Sequence, residues 1–237
     1  MKKIIFILSI FITLNSFSQE LKIEKVTCNF YVYTTFNLYK GELVSANAMY
    51  VLTSEGAILF DTPWDSTQYE PLIDSIWIRH HQKIIMVIGT HSHNDRSAGF
   101  SFFQKKGIAT YAIALTDSFL VKDHHAPSTN ILQPDQKFNI GNESFEVYFP
   151  GAGHTLDNIV AWFPKEKLLY GGCFIKSAEA TDLGYIKESD TKEWPKSIER
   201  IKKKFGKPAY VISGHDDWHD ASSLDHTLQL LTEFNKQ

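Results

Sequence analysis

Cysteine is scarce: Cys28 and Cys173 are the only two in 237 residues, so at most one disulfide can form. An excess of basic charge is also missing. Lys and Arg total 24 against 27 Asp and Glu, and phosphate binding needs clustered basic side chains, so a nucleic-acid partner is not expected. The one basic run, Lys202-Lys203-Lys204, continues a helical pattern and reads as a solvated face. Linkers, low-complexity segments and short-period repeats are absent, which leaves no internal boundary at which to divide the chain. Long apolar runs are missing after the first 18 residues.

Those first residues have the anatomy of a secretory signal. MKK supplies positive charge, IIFILSIFITL is an apolar core of 11 residues, and Ser16-Phe17-Ser18 places small residues before a cut. The core is too short for a membrane span, and no cysteine follows it closely enough to suggest a lipid anchor. Cleavage before Gln19 leaves residues 19–237 as one expected domain, exported to the periplasm and free of the membrane. Losing Lys2 and Lys3 leaves 22 basic against 27 acidic side chains. Hydrophobic residues make up 43% and aromatic ones 14% of the chain, enough for a substantial core.

Strand-forming stretches come first: KIEKV, NFYVYTTF, ANAMYVLT and AILFD. A helix is expected from Asp65, as N-cap, to about His80, then strand KIIMVI, the loop HSHNDR and a helix near 97–106 ended by Gly107. Strand IATYA leads to a short helix opened by Thr116, and HHAPSTN reads as loop. Strands SFEVYFP, IVAWFP and KLLYGG follow, then helix WPKSIERIKKKF, strand PAYVIS and a last helix from about Ser222. Strands in a run and then alternating with helices, twice over, predict two sheets face to face with helices outside.

Four polar clusters each fall where a strand ends. His91, His93 and Asp95 follow KIIMVIG; His154 follows SFEVYFPGAG; Cys173 follows KLLYGG; and His215 follows PAYVISG. Burying such groups costs several kcal/mol each unless they are paired or hold a metal. Gly153, Gly172 and Gly214 directly precede His154, Cys173 and His215, where a missing Cβ lets the backbone turn and approach an ion. Nitrogen, sulfur and oxygen donors of this kind suit zinc. Six are too many for one tetrahedral ion and enough for two with room for water. His91 and His93 share one side of an extended segment and can face one ion, with Asp95 a step further along. In an exported chain two cysteines default to a disulfide, but a Cys28–Cys173 bridge and a metal-ligating Cys173 thiolate exclude each other. The metal reading leaves Cys28 free, as a small buried hydrophobe. His80, His81, His124, His125, His219 and His226 read as surface or loop residues.

The stretches HSHNDR, GAGHT, GGCFIKS and ISGHDDW resemble the motifs of the class B metallo-β-lactamases, subclass B-one, of the flavobacterial carbapenem-hydrolysing type. The resemblance spans essentially the whole mature chain, including ANAMYVL and ILFDTPW. It implies a four-layer αβ/βα sandwich and a monomeric hydrolase with two zinc ions, which opens penicillins, cephalosporins and carbapenems with a zinc-supplied hydroxide. His91, His93 and His154 would hold the first zinc, and Asp95, Cys173 and His215 the second. Asp95 would also orient the nucleophile, and Lys176 would pair with the substrate carboxylate. Asp61 and Arg96 would support the ligands from behind. The wider superfamily carries H-x-H-x-D-H; here Arg96 replaces the final histidine and Cys173 a bridging aspartate. Both changes point away from the alternative, a thioesterase or lactonase of the same superfamily. Tyr185 stands where many relatives have an asparagine that contacts substrate. TFNLYKGELVSAN is the expected flap over the site.

Overall fold

The structure, a computed structural model, describes residues 21–236; the expected signal at 1–18 lies outside the described residues. β-Branched and aromatic side chains build the first three strands, β1 (Lys22–Thr27), β2 (Phe30–Tyr39) and β3 (Glu42–Leu52). Then come β4 (Ala57–Phe60) and α1 (Tyr69–His80), the latter entered through a 3-10 turn. Asp65 caps that turn by accepting from the Thr67 amide. The first half closes with β5 (Ile84–Ile88), α2 (Asn94–Ser97), α3 (Phe100–Lys105), β6 (Ala109–Ile113), α4 (Ala114–Lys122) and β7 (Asn130–Leu132). The second half holds β8 (Lys137–Ile140), β9 (Glu143–Tyr148), β10 (Val160–Phe163), β11 (Leu168–Gly172), α5 (Trp194–Phe205), β12 (Tyr210–Ser213) and α6 (Ser223–Phe234).

Strands β1 to β7 form one sheet in chain order, antiparallel as far as β4 and parallel from β4 to β7. The other sheet runs β12-β11-β10-β9-β8, with only β11 and β12 parallel. Period-two alternation splits the apolar residues of each sheet between two faces. Phe30, Met49, Phe60, Phe145, Phe163 and Tyr170 meet between the sheets. Tyr33, Leu59 and Val87 turn the other way, onto Leu72 and Ile76 of α1 and Phe100 and Phe103 of α3. Val160, Leu169 and Val211 likewise pack on Trp194, Ile198 and Ile201 of α5 and Leu224 and Leu231 of α6. These three cores define four layers, the expected αβ/βα sandwich. No helix among the described residues is long and apolar enough to cross a membrane.

The differences from the sequence reading are local. The second half of HSHNDR is a helical turn, not loop, and Thr116 sits buried inside α4 instead of opening it. The short strands β7 and β8 were not expected; at three and four residues, with exposed polar positions, they carry too little pattern. Cys28 is exposed in the β1–β2 turn, not buried, and both cysteines are free. The flap is the β2–β3 hairpin, whose two turn residues Lys40 and Gly41 both have positive φ, as a type I′ turn requires.

Of the three glycines before the polar clusters, only Gly172 adopts a left-handed φ, at +53°. Gly214 serves close approach: a Cβ there would lie 2.4 Å from the Cys173 amide nitrogen and 2.6 Å from its Cα. Both neighbours are backbone and cannot step aside singly. Gly214→Ala is therefore expected to cost about 1–3 kcal/mol in denaturant unfolding, as overpacking does, and to lower bound metal because Cys173 must shift. An unchanged midpoint with full metal content would show slack at this crossing.

Candidate metal centre

All six predicted donors converge at one end of the sandwich. His91 and His93 follow β5, Asp95 lies in α2, and His154, Cys173 and His215 follow β9, β11 and β12. Strand ends on a rigid double sheet hold side chains more precisely than free loops do. The rings of His91, His93 and His154 are mutually edge-on, with centroids 4.7–5.1 Å apart. His93 Nδ1 is 3.3 Å from His154 Nε2. Cys173 Sγ lies 3.3 Å from Asp95 Oδ2 and 3.2 Å from His215 Nε2, and those two are 3.4 Å apart. The Asp95, Cys173 and His215 donor atoms all lie within 4.8 Å of one another; the same limit joins His91 to His93 and Asp95, and to His154 and Cys173.

The protein's own groups are unbalanced without a cation. His91 Nε2 is buried with no hydrogen-bond partner, an arrangement that native interiors rarely leave unexplained. Burial pushes the His91 and His154 imidazoles well below the ordinary histidine range, towards the neutral form that ligates metals. Burial works against charge at His215 too, yet Cys173 and Asp95 outweigh it and raise that imidazole to about 10. A proton is thus drawn to the place where a cation would sit. His215 Nδ1 donates to the Ser45 carbonyl at 2.5 Å and leaves Nε2 for the cluster. This donor set fits a metal.

Behind the donors, Arg96 is fully buried. Its Nε reaches Asp95 Oδ2 at 2.9 Å and Cys173 Sγ at 3.0 Å, while the other two nitrogens donate to the Asn47 and Gly214 carbonyls at 2.6 and 2.7 Å. Burial opposes the Asp95 carboxylate, but Arg96 and His215 hold its carboxyl well below the usual range. Asp61, fully buried, also lies behind the donors. It accepts from the Thr90 amide (2.6 Å), Thr90 hydroxyl (2.9 Å) and Tyr170 hydroxyl (2.6 Å), with Arg96 at 3.4 Å. Burial raises its pKa to about 6 against those partners. Thr90 Oγ1 in turn lies 3.3 Å from His91 Nδ1, so Asp61 reaches both donor groups through one neighbour each.

A cavity of about 840 Å³ opens over the cluster. Leu38, Tyr39 and Val44 of the flap line it, together with Lys176 and Tyr185. The Lys176 ammonium lies 5.5 Å over the Trp194 ring. Tyr185 is 38% exposed and meets His93 edge-on at 5.5 Å. None of His80, His81, His124, His125, His219 and His226 joins the centre.

The family pattern described as "Metallo-beta-lactamase superfamily" matches residues 41–215. The chain belongs to that superfamily. The metallo-β-lactamase type 2 of Elizabethkingia meningoseptica is 44% identical over 227 residues, covering 94% of this chain and 91% of that protein. Metallo-β-lactamase IND-1 of Chryseobacterium indologenes is 48% identical over 205 residues, 86% of each. The solved structure of metallo-β-lactamase IND-7 superposes with a TM-score of 0.87 at 47% identity, over 90% of this chain and 99% of that one. These likenesses support the B-one subclass expected from the motifs. A metallo-β-lactamase implies a metal cofactor, in keeping with the donor chemistry above.

Two residues of this metallo-β-lactamase centre escaped the sequence reading. Asp157 is buried and accepts from the Ser92 amide at 2.9 Å, pinning the segment between the two histidines. Glu188 Oε2 accepts from His93 Nε2 at 2.6 Å, which leaves Nδ1 for the cluster. Glu188 lies 95 positions from His93, and no spacing rule links them. Outer partners of metal-ligating histidines commonly carry 10–100-fold in affinity. Glu188→Ala is expected to weaken zinc binding by about ten-fold or more in competition with a chromophoric chelator, and Glu188→Gln to recover part of it. Equal affinity in all three proteins would leave the contact without a role in binding.

Proposed function

We propose that this protein is an exported, monomeric dizinc β-lactamase that opens the four-membered amide ring of penicillins, cephalosporins and carbapenems. The carrying observation is the juxtaposition of the Asp95, Cys173 and His215 donors, 3.2–3.4 Å apart, with three imidazoles under a cavity lined by Lys176. His91, His93 and His154 would hold one zinc, and Asp95, Cys173 and His215 the other. When bound, the ions supply Lewis acidity for the lactam carbonyl and lower the pKa of a water towards about 7.

The chain's own groups supply the rest. Lys176 pairs with the carboxylate that bicyclic β-lactams carry beside the ring, so the scissile carbonyl is held over the donors. Asp95 holds its carboxylate within reach of both sets of donors and would orient the attacking water. Tyr185 and the flap residues Leu38 and Tyr39 wall the cavity and displace bulk water from the substrate. Cys173 is committed to Arg96 and the cluster and is no free nucleophile, so the lactam C–N bond breaks without an acyl-enzyme. Arg96 and Cys173 also weigh against the thioesterase and lactonase alternative, whose sites use histidine and aspartate at those positions. Residues 1–18 supply the export signal, which places the mature enzyme in the periplasm.

The test follows carbapenem ring opening by absorbance with purified residues 19–237, as isolated, after chelation and after zinc is restored. Activity lost to the chelator and regained with zinc supports the reading. A folded protein that holds two zincs and opens no lactam overturns it. Lys176→Ala is expected to raise KM for these substrates about ten-fold, the scale of one hydrogen bond to a charged group, with zinc content unchanged. The pH dependence has a definite sign. Burial lowers the Lys176 pKa, with Cys173 and Asp95 opposing, and the ammonium is the binding form. KM should therefore climb with rising pH before an exposed lysine would titrate, and that climb should vanish in Lys176→Ala.

A further inference from the structure

The floor and the mouth of the cavity differ in charge. Lys176 is the only lysine or arginine among the lining residues. Asp123, Glu179, Asp182, Glu188 and Asp216 line it as well, and all five are exposed. They come from separate places: Asp123 ends α4, Glu179, Asp182 and Glu188 lie on the segment between β11 and α5, and Asp216 follows β12. Glu188 is engaged by His93. Among the described residues, none of the other four carboxylates is in an ion pair. Asp182 is fixed in place because its Oδ1 accepts from the Gly184 amide at 2.7 Å. The nearby cations stay outside the lining. Neither Lys40 nor Lys187 is among the lining residues, and the Lys40 ammonium lies 5.2 Å over the ring of Tyr39, which is.

A β-lactam's ring carboxylate belongs at the floor, with Lys176 and the metal. The amide side chain on the far side of the bicycle then extends towards the mouth, where its own charge meets Asp123, Glu179, Asp182 and Asp216, none of them in an ion pair, although Asp182 also faces the Lys176 charge. We propose that this rim makes the enzyme selective for β-lactams whose side chain is cationic, and against those bearing a second carboxylate. This rests on the β-lactamase reading and adds a substrate class to it. Like-charge contacts at a rim act mainly on encounter and on discrimination between partners, and salt weakens them.

Three penicillins with one phenylacetyl scaffold isolate the effect: benzylpenicillin is neutral at the α-carbon, ampicillin carries an ammonium there, and carbenicillin a carboxylate. The zinc-loaded mature enzyme is assayed at pH about 6.5, where an α-amino group is charged. At about 0.01 M salt, where the Debye length is about 30 Å, kcat/KM for ampicillin should exceed that for carbenicillin by about ten-fold. At about 1 M salt, where it is about 3 Å, the ratio should fall to a small residue. The Asp123→Asn, Glu179→Gln, Asp182→Asn, Asp216→Asn combination should lower the ratio at low salt in the same way. A ratio near or below one, or one indifferent to salt, overturns the rim proposal while benzylpenicillin turnover leaves the β-lactamase reading standing. Failure to open benzylpenicillin at all would bring down both. The salt series needs no variant, so the test survives a combination that does not fold.

Discussion

One guanidinium organises this molecule. Arg96 is completely buried and faces two carboxylates, a thiol and two backbone carbonyls. Taking such a charge out of water is expensive, and only near-complete satisfaction of its five donors offsets the cost. The acceptors come from β3 (Asn47), the end of β4 (Asp61), α2 (Asp95), the end of β11 (Cys173) and the end of β12 (Gly214). Both sheets are therefore tied at a single point directly beneath the donors. Two carboxylates and the Cys173 sulfur thus crowd round one cation. That surplus draws a proton onto His215 in the protein alone, and it is the physical reason that a metal belongs above it.

This hub also separates what could be read from the chain from what could not. The convergence of the six candidate donors was legible because each follows a strand pattern, which places them at one end of the sheets. Helix WPKSIERIKKKF was legible to its boundaries because Trp194, Ile198 and Ile201 repeat at helical spacing. Arg96 was legible as a substitution for histidine, but its partners were not. Two of them are main-chain carbonyls, which any residue type supplies, and their positions depend on how the sheets meet. Glu188 was hidden for a related reason, since a carboxylate among KESD is ordinary surface until the segment folds back on His93. Cys28 was misjudged because exposure in a tight turn is decided by backbone geometry, not by residue type.

The site is assembled from two kinds of structure. The floor comes from strand ends and buried hydrogen bonds, with Asp61, Thr90 and Asp157 holding the segments that carry the histidines. The walls come from the β2–β3 hairpin and from residues 176–188, where Leu38, Tyr39 and Tyr185 are exposed. A rigid floor preserves metal geometry, and exposed walls leave room for substrates of different outline.

Floor and wall are nevertheless not independent. Glu188 belongs to the wall but holds His93, and Tyr185 lays its edge on the same imidazole. Ser45, in the hairpin, accepts from His215 through its carbonyl and caps the Asp216 amide through its hydroxyl. Each wall is thus anchored to one candidate metal ligand, and the two anchors fall on opposite donor groups. A metal that fixes His93 and His215 therefore fixes both walls relative to each other, and the width of the cavity becomes a property of the loaded centre. Replacement of a wall residue then has two routes to altered turnover, through contact with substrate and through the imidazole behind it. Metal affinity tells them apart, because only the second route changes it.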